Sequence, residues 1–578
     1  MNREKQEDRE VQAKHRQRLA RLGADKKRIL AKPAEKALDE ILEHPQATAL
    51  VHSMAEEDFF FLVHDIGPED SIELLSLASN RQWEYIIDVE IWNRDRINTG
   101  ALSHWMNLLS QADGDRFIGW IMQEKSELLE YYINDAVEIL VREDNEDPSD
   151  FPDGFFTYDG VFYTRIKDEF LNAVEDEETR DQRQQFIYGM LERLADEDHP
   201  GYQATLLRSA NVMPSESEEE SFRLRNIRLA EKGFLPFGEA VGVYAPVRPG
   251  AVRSRSKKYP FSRSHDDFTV PVPIQPSAML TGNTVFSNAL WKIDTNELLN
   301  ELQIEFAALC NRVIAADQQP IRGREELRQT VHKTSGFLSL GIQRLAGTEA
   351  TPEPEQSAGL LKAYSLEDIF RTGWGLIVEL KEKARKWKAR SWFAKNSLSL
   401  SFWGERLVGY IGGLLLARPK YFDNYETGVL YRDFESMADA ADTASALEEA
   451  MGIDRILSCV EPDTSRLPDL HFLTHENLLL TMWARHRLGL EQKVESIPVE
   501  TFRQFFSSLW SEGRVRDSAR SDFFSWLSTA SGFTEDELGR QAGRAIENLF
   551  SKMEDEYGMV SEKDLDPRFV HLFILKKA

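Results

Sequence analysis

The sequence predicts an all-α protein: an α-solenoid-like array of short helices, a larger carboxy-terminal helical region and one β-hairpin near residues 155–164. Three observations carry this reading. Apolar residues recur at helical spacing from His44 to Gln123, and again from Asn288 almost to the end. Phe155–Thr164 is expected to be the only well-formed strand pair, because Asp159-Gly160 suits a type I′ turn between β-branched and aromatic flanks. With 42% apolar and 10% aromatic residues in 578, the chain can bury a sizeable core, which excludes global disorder.

Within the array each helix has its own start signal and apolar face. Ser53 and Glu56 have capping-box spacing, followed by Phe59, Phe60, Val63 and Ile66. Gly67 is suited to stop that helix, and Pro68, Glu69 and Asp70 to open the next, which buries Ile72, Leu75 and Ala78. Asn80 is the expected cap of a helix presenting Trp83, Ile86, Ile87 and Ile91, Thr99 precedes one with Leu102, Trp105 and Leu109, and Asp113 one with Phe117 and Ile121. A further helix is expected through Leu128, Ile133 and Leu140. Helices of three turns do not stand alone in water, so they must stack on their neighbours.

The formal charge of −27 is unevenly spread. Residues 1–33 form a basic charged helical arm of +6, and 34–246 carry −29. That acidic stretch divides into the array (34–142), an acidic loop with the hairpin (143–166) and a helical extension (167–246). A Pro/Ser/Arg-rich linker (247–285) begins with six cations and no acid between 247 and 263, and the helical region 286–578 follows. An acidic balance argues against a chain built mainly to coat nucleic acid or an anionic membrane. The start lacks an apolar signal region, and the longest strongly apolar stretch, Leu407–Ala417, is too short to span a bilayer, so a soluble cytoplasmic protein is expected.

The segment His44-Pro-Gln … Met54-Ala-Glu-Glu-Asp … Gly67-Pro-Glu-Asp resembles the short-helix superhelix of MgtE-type magnesium transporters and the related region of flagellar switch proteins. The likeness spans only His44 to Gln123, and the chain lacks the CBS domains and membrane helices of a transporter. Over its full length the sequence is similar to a bacterial family of domains of unknown function. Gly233-Phe-Leu-Pro-Phe-Gly-Glu-Ala, Val243-Tyr-Ala-Pro, Ser391-Trp-Phe and Phe402-Trp-Gly-Glu carry that second resemblance. It implies fold and cytoplasmic residence, and nothing catalytic.

Chemistry-bearing motifs are sparse. His471 and His475 with Glu476 do not follow the His-Glu-x-x-His order, and Thr474 reads as a helix cap that separates the pair, so no metal is expected. The acids from Asp113 to Glu124 fail as a calcium loop, since Ile118 stands where the turn needs Gly. No phosphate-binding glycine loop or nucleophile elbow occurs, no cofactor is expected, and enzyme status has no positive support. Cys310 and Cys459 cannot form a disulfide framework, and the apolar setting of Cys459 predicts a buried thiol.

Two basic segments are candidate binding surfaces: Arg248, Arg253, Arg255, Lys257, Lys258 and Arg263 in the linker, and Lys381, Arg385, Lys388 and Arg390 on a helix interleaved with Trp387, Trp392 and Phe393. The linker cations are suited to RNA, lipid or an acidic partner, and also to docking on the acidic amino-terminal region of the same chain. The helix suits a phosphate surface, or is an ordinary amphipathic helix whose rings pack inward while its cations snorkel. The leading expectation is a helical-repeat scaffold or adaptor with a protein partner. A nucleic-acid-associated regulator using both basic segments is the alternative, and an enzyme with an interdomain pocket is the third.

Overall fold

The computed structural model describes residues 18, 21–93, 95–143, 146–147, 151–173, 176–211, 213–232, 237–254, 280, 284–318, 324–347, 351–463 and 472–576. These are predominantly helical, and the fold is all-α. The second half of the basic arm, helical over 21–30, docks on the array through Leu22, Ile29 and Leu30. Lys26 is buried with it and donates to Ser53 O at 3.0 Å. Desolvation lowers its pKa.

The array runs through Ala34–Leu42, Ala47–His52, Glu56–Ile66, Ile72–Ser76, Asn80–Glu90, Thr99–Ala112, Gly114–Glu124 and Ser126–Ala136. Its expected apolar faces are buried except at Ile66 and Ile72, which are half-buried, and Phe59, Trp83, Phe117 and Tyr132 are fully enclosed. Several helix starts differ by a residue from expectation. Ser53 does not cap Glu56–Ile66; its hydroxyl closes the preceding helix by donating to Leu50 O, and three acids in the first turn face the positive end of the helix dipole instead. Ser79, not Asn80, forms a capping box with Gln82, and Asn98, not Thr99, accepts from Ala101 N. Asp113 caps as expected, and Gly67 ends its helix at φ +112°.

The helix expected through Leu140 stops at Ala136 because Val-Glu-Ile-Leu-Val becomes a strand. Val137–Val141 pairs antiparallel with Phe162–Ile166, Val137 opposite Ile166. The predicted hairpin closes through one bridge, Phe156 to Thr164, and its turn depends on Asp159, whose carboxylate accepts from Val161 N and Phe162 N. Gly160 alone is left-handed there (φ +70°), so the turn is not type I′. Four further two-residue strand pairs occur among the described residues, against an expectation of one pair in all. One of them joins Ile497–Pro498 in parallel to Leu575–Lys576 near the end of the chain.

The extension comprises Glu177–Glu197, His199–Ala210 and Pro214–Glu231, and its last helix lies back across the array. Arg228 makes two 2.7 Å hydrogen bonds to the buried Asp88 carboxylate, Arg225 donates to Asp88 O, and Lys232 pairs with Glu56 at 2.5 Å. Cations of the extension are thus spent on acids of the array within the same −29 stretch.

Beyond the linker, Asn296–Asp317, Arg324–Ala346 and Leu366–Lys388 form the next helical layer. The last two cross with backbones almost in contact. A Cβ on Gly341 would lie 1.9 Å from Ile369 O, and one on Gly373 2.1 Å from Phe337 O, so only glycine fits at either position. Below them a polar junction ties four segments together. Tyr244 Oη and Lys333 Nζ each donate to the Asp317 carboxylate at 2.7 Å, and the Arg418 guanidinium donates to the same carboxylate. Burial and the adjoining carboxylate push the Tyr244 hydroxyl far above its ordinary pKa.

Two apolar cores result. The first reaches from Leu22 to Leu447, and the second from Trp392 to Phe573. Met437–Val460 serves both, giving Ala440 and Leu447 to the first and Ala450, Ile453 and Leu457 to the second. The stretch 286–578, expected as one helical region, is thus shared between them.

Candidate interaction surfaces

The linker and basic-helix cations are far apart in sequence, yet the structure brings part of each set together. Val247 N donates to Arg371 O, and the Arg371 side chain donates back to Ala245 O, so the described start of the linker runs along Leu366–Lys388. Arg248 then borders one side of a cleft of about 840 Å³, with Lys383, Lys386, Trp387 and Arg390 along the other. Lys383 is paired with Glu448 at 3.0 Å; Arg248, Lys386 and Arg390 have no acidic partner among the described residues. Arg253 is exposed nearby in sequence, and Arg255, Lys257, Lys258 and Arg263 lie outside the described residues.

The other helix cations have different surroundings. Lys381 donates to Leu416 O and Ala417 O at 2.6 and 2.7 Å, closing the carboxy-terminal end of Gly404–Leu415. Arg385 pairs with Glu382 one turn back, and Lys388 is exposed without an acidic partner among the described residues. The interleaved rings pack inward, Trp392 and Phe393 being buried and Trp387 half-buried. Asp454 organises this end by accepting from Trp387 Nε1, Trp392 N and Phe393 N at 3.2–3.3 Å. Burial raises its pKa, opposed by those three donors.

A second surface lies on the array, where spacing gave no signal. A cleft of about 580 Å³ separates Thr99–Ala112 from Glu177–Glu197. Phe186 and Met190 are buried at its floor, and Asn107, Gln111, Gln182 and Gln185 line it with carboxamides that make no intramolecular hydrogen bond among the described residues. Glutamines on the solvent side of an amphipathic helix look the same in sequence whether or not a second helix faces them, which is why this groove was not legible.

The histidine cluster resolves as capping. Thr474 accepts from Asn477 N in a reciprocal capping box, and His475 is buried in the first turn of His475–Arg487. His471 lies outside the described residues. No group of three His, Cys, Asp or Glu able to hold a metal occurs among the described residues. Cys459 is exposed, contrary to expectation, because Ile456 and Leu457 take the inner face of their helix and the next two residues point outward. Cys310 is the buried thiol, and enclosure pushes its pKa up to about 12.

Fold and surfaces together define an all-α protein in which two apolar cores, the first including the short-helix array, share one long helix. A profile of DUF6178, a family of unknown function, matches residues 14–576, so the chain belongs to that family. No curated protein and no solved structure matches the chain. No described helix is long and apolar enough to cross a membrane.

Proposed function

We propose that this protein is a cytoplasmic scaffold or adaptor that holds an extended segment of a partner protein in the groove between Thr99–Ala112 and Glu177–Glu197. The four unpartnered carboxamides carry the reading. An extended main chain presents N–H and C=O groups in alternation, and each carboxamide offers both an acceptor and donors. The apolar floor accepts alternate side chains, and the surrounding negative charge favours a basic segment. Two free cysteines agree with a reducing compartment.

The test is affinity purification of the intact chain beside a variant carrying Asn107→Ala, Gln182→Ala and Gln185→Ala. A stable partner should be recovered by the native protein and bind the variant roughly tenfold or more weakly, since each lost hydrogen bond is worth about 1 kcal/mol. A monomer without partner across growth conditions, or equal recovery by both forms, would refute it.

The convergence of Arg248 with Lys386 and Arg390 favours a second reading, a nucleic-acid-associated regulator in which the cleft follows a phosphate backbone. Its affinity should fall linearly with salt on a log–log plot, with a shallower slope after Arg248→Ala and Arg390→Ala. Absence of RNA and DNA binding at low salt ends that reading.

A further inference from the structure

A cleft of about 600 Å³ opens into the second core. Its walls come from the start of Gly404–Leu415, the middle of Met437–Val460, the first turn of His475–Arg487 and the centre of Glu535–Tyr557. That volume is in the range of small-molecule sites. Two buried polar atoms at its wall have no partner, Glu449 Oε2 and Trp403 Nε1, and the buried His475 stands beside them.

Glu449 is 8% exposed. One carboxylate oxygen accepts from Arg406 Nη2 at 2.5 Å, with Asn548 Nδ2 at the limit of 3.5 Å, while Oε2 is buried and receives no donor. Trp403, 1% exposed, has an indole N–H with no acceptor. His475 Nδ1 lies 3.3 Å from Phe402 O. A carbonyl oxygen only accepts, so Nδ1 carries the proton and Nε2 keeps its lone pair. Burial also lowers the His475 pKa, which favours this neutral ring. The wall therefore carries one buried acceptor, Glu449 Oε2, and one buried donor, Trp403 Nε1, without a partner, and His475 Nε2 adds a lone pair.

The charges point the same way. Acids outnumber cations four to three among the residues lining the cleft. Each cation is already engaged: Arg406 with Glu449, Lys552 with Glu476 at 2.7 Å, and Arg544 with Ser445 Oγ at 2.7 Å. Two of the three cations are neutralised by acids of the same wall, and Arg544, whose partner is a hydroxyl, lies exposed at the rim. A group rich in donors would satisfy Glu449 Oε2 and His475 Nε2. Leaving a buried acceptor unmet costs about 1–3 kcal/mol, which a donor from outside the chain would recover.

We propose that this cleft is a binding site for a small organic amine, with Glu449 as the group that receives its N–H donors. The site is separate from the array groove and stands or falls independently of the scaffold reading.

Calorimetry on the full chain with benzylamine as the probe tests it, beside benzyl alcohol, which has the ring without the charge, and phenylacetate, which reverses it. Saturable binding of benzylamine is expected, with benzyl alcohol weaker and phenylacetate silent. Glu449→Gln keeps the shape and should weaken benzylamine roughly tenfold, the worth of a hydrogen bond to a charged group. Trp403→Phe, the second variant should the first fail to fold, should weaken it by a smaller factor. Absence of saturable benzylamine binding at millimolar concentrations, equal binding by every folded variant, or phenylacetate binding as tightly as benzylamine would each overturn the proposal.

Discussion

Replacing Asp317 by Ala removes the acceptor at the centre of the polar junction. Lys333, only 7% exposed at its side chain, loses its 2.7 Å partner and is left with Asp433 at 3.9 Å. Tyr244 loses the acceptor of its hydroxyl, while Arg418 keeps Ala316 O. Removing one partner of a buried ion pair costs about 3–5 kcal/mol, because the remaining charge stays desolvated. The lost Tyr244 bond belongs to the same network and does not add in full, so about 4 kcal/mol is the expected total. The junction joins the segment before the linker to the helices after it, so the damage should be local to the first core. Urea unfolding followed by tryptophan fluorescence should show an early loss of the Trp374 environment, since Tyr244 packs 4.6 Å from that ring. The combined variant Asp317→Leu with Lys333→Met, which removes both buried charges, should recover most of the loss. A cost below about 1 kcal/mol for Asp317→Ala, or a combined variant no better than the single one, would refute the argument.

Asp454→Ala should strip the acceptor from one indole and two backbone N–H groups, at about 2–3 kcal/mol; an unchanged urea midpoint would contradict it. Gly341→Ala should cost more than about 2 kcal/mol by forcing two helices apart, read as a lowered thermal midpoint, and a neutral effect would mean that the crossing yields freely. His475 should make stability fall with acidification. Its folded pKa lies below the ordinary 6.5, so the unfolded chain takes up the proton first, and the stability present above about pH 6.5 declines as pH drops towards the folded value. His475→Asn should flatten that part of the profile relative to the native chain; parallel profiles would show that other groups control it.

The sequence conveyed the helical class and most of the array's interior, because Phe59, Trp83, Ile86 and Phe117 obey a 3.6-residue period that a single chain displays openly. Helix starts were displaced by a residue or more wherever two capping side chains stood side by side, as at Ser79-Asn80 and Asn98-Thr99, since either satisfies the same orphan donors. The strand Val137–Val141 was hidden because Ile133, Ala136 and Leu140 also fit a helical face, and only the pairing with Phe162–Ile166 decides the matter. The basic segments were visible as composition, but nothing in spacing joins residue 248 to residue 390. Glu449 did leave a trace: it stands three residues after Ala446 and four before Ile453, an acid on an otherwise apolar helical stripe. Such a residue marks a place where burial and charge must be reconciled by a partner.

The long helix Met437–Val460 sets a limit on how this protein can be taken apart. A fragment ending before residue 437 forfeits Ala440 and Leu447, and a fragment beginning there exposes those same side chains to water. Either cut leaves one half with a hole or the other with a greasy strip. Truncation should therefore yield aggregating or weakly folded pieces, and the two halves should be inherited, expressed and degraded as one unit.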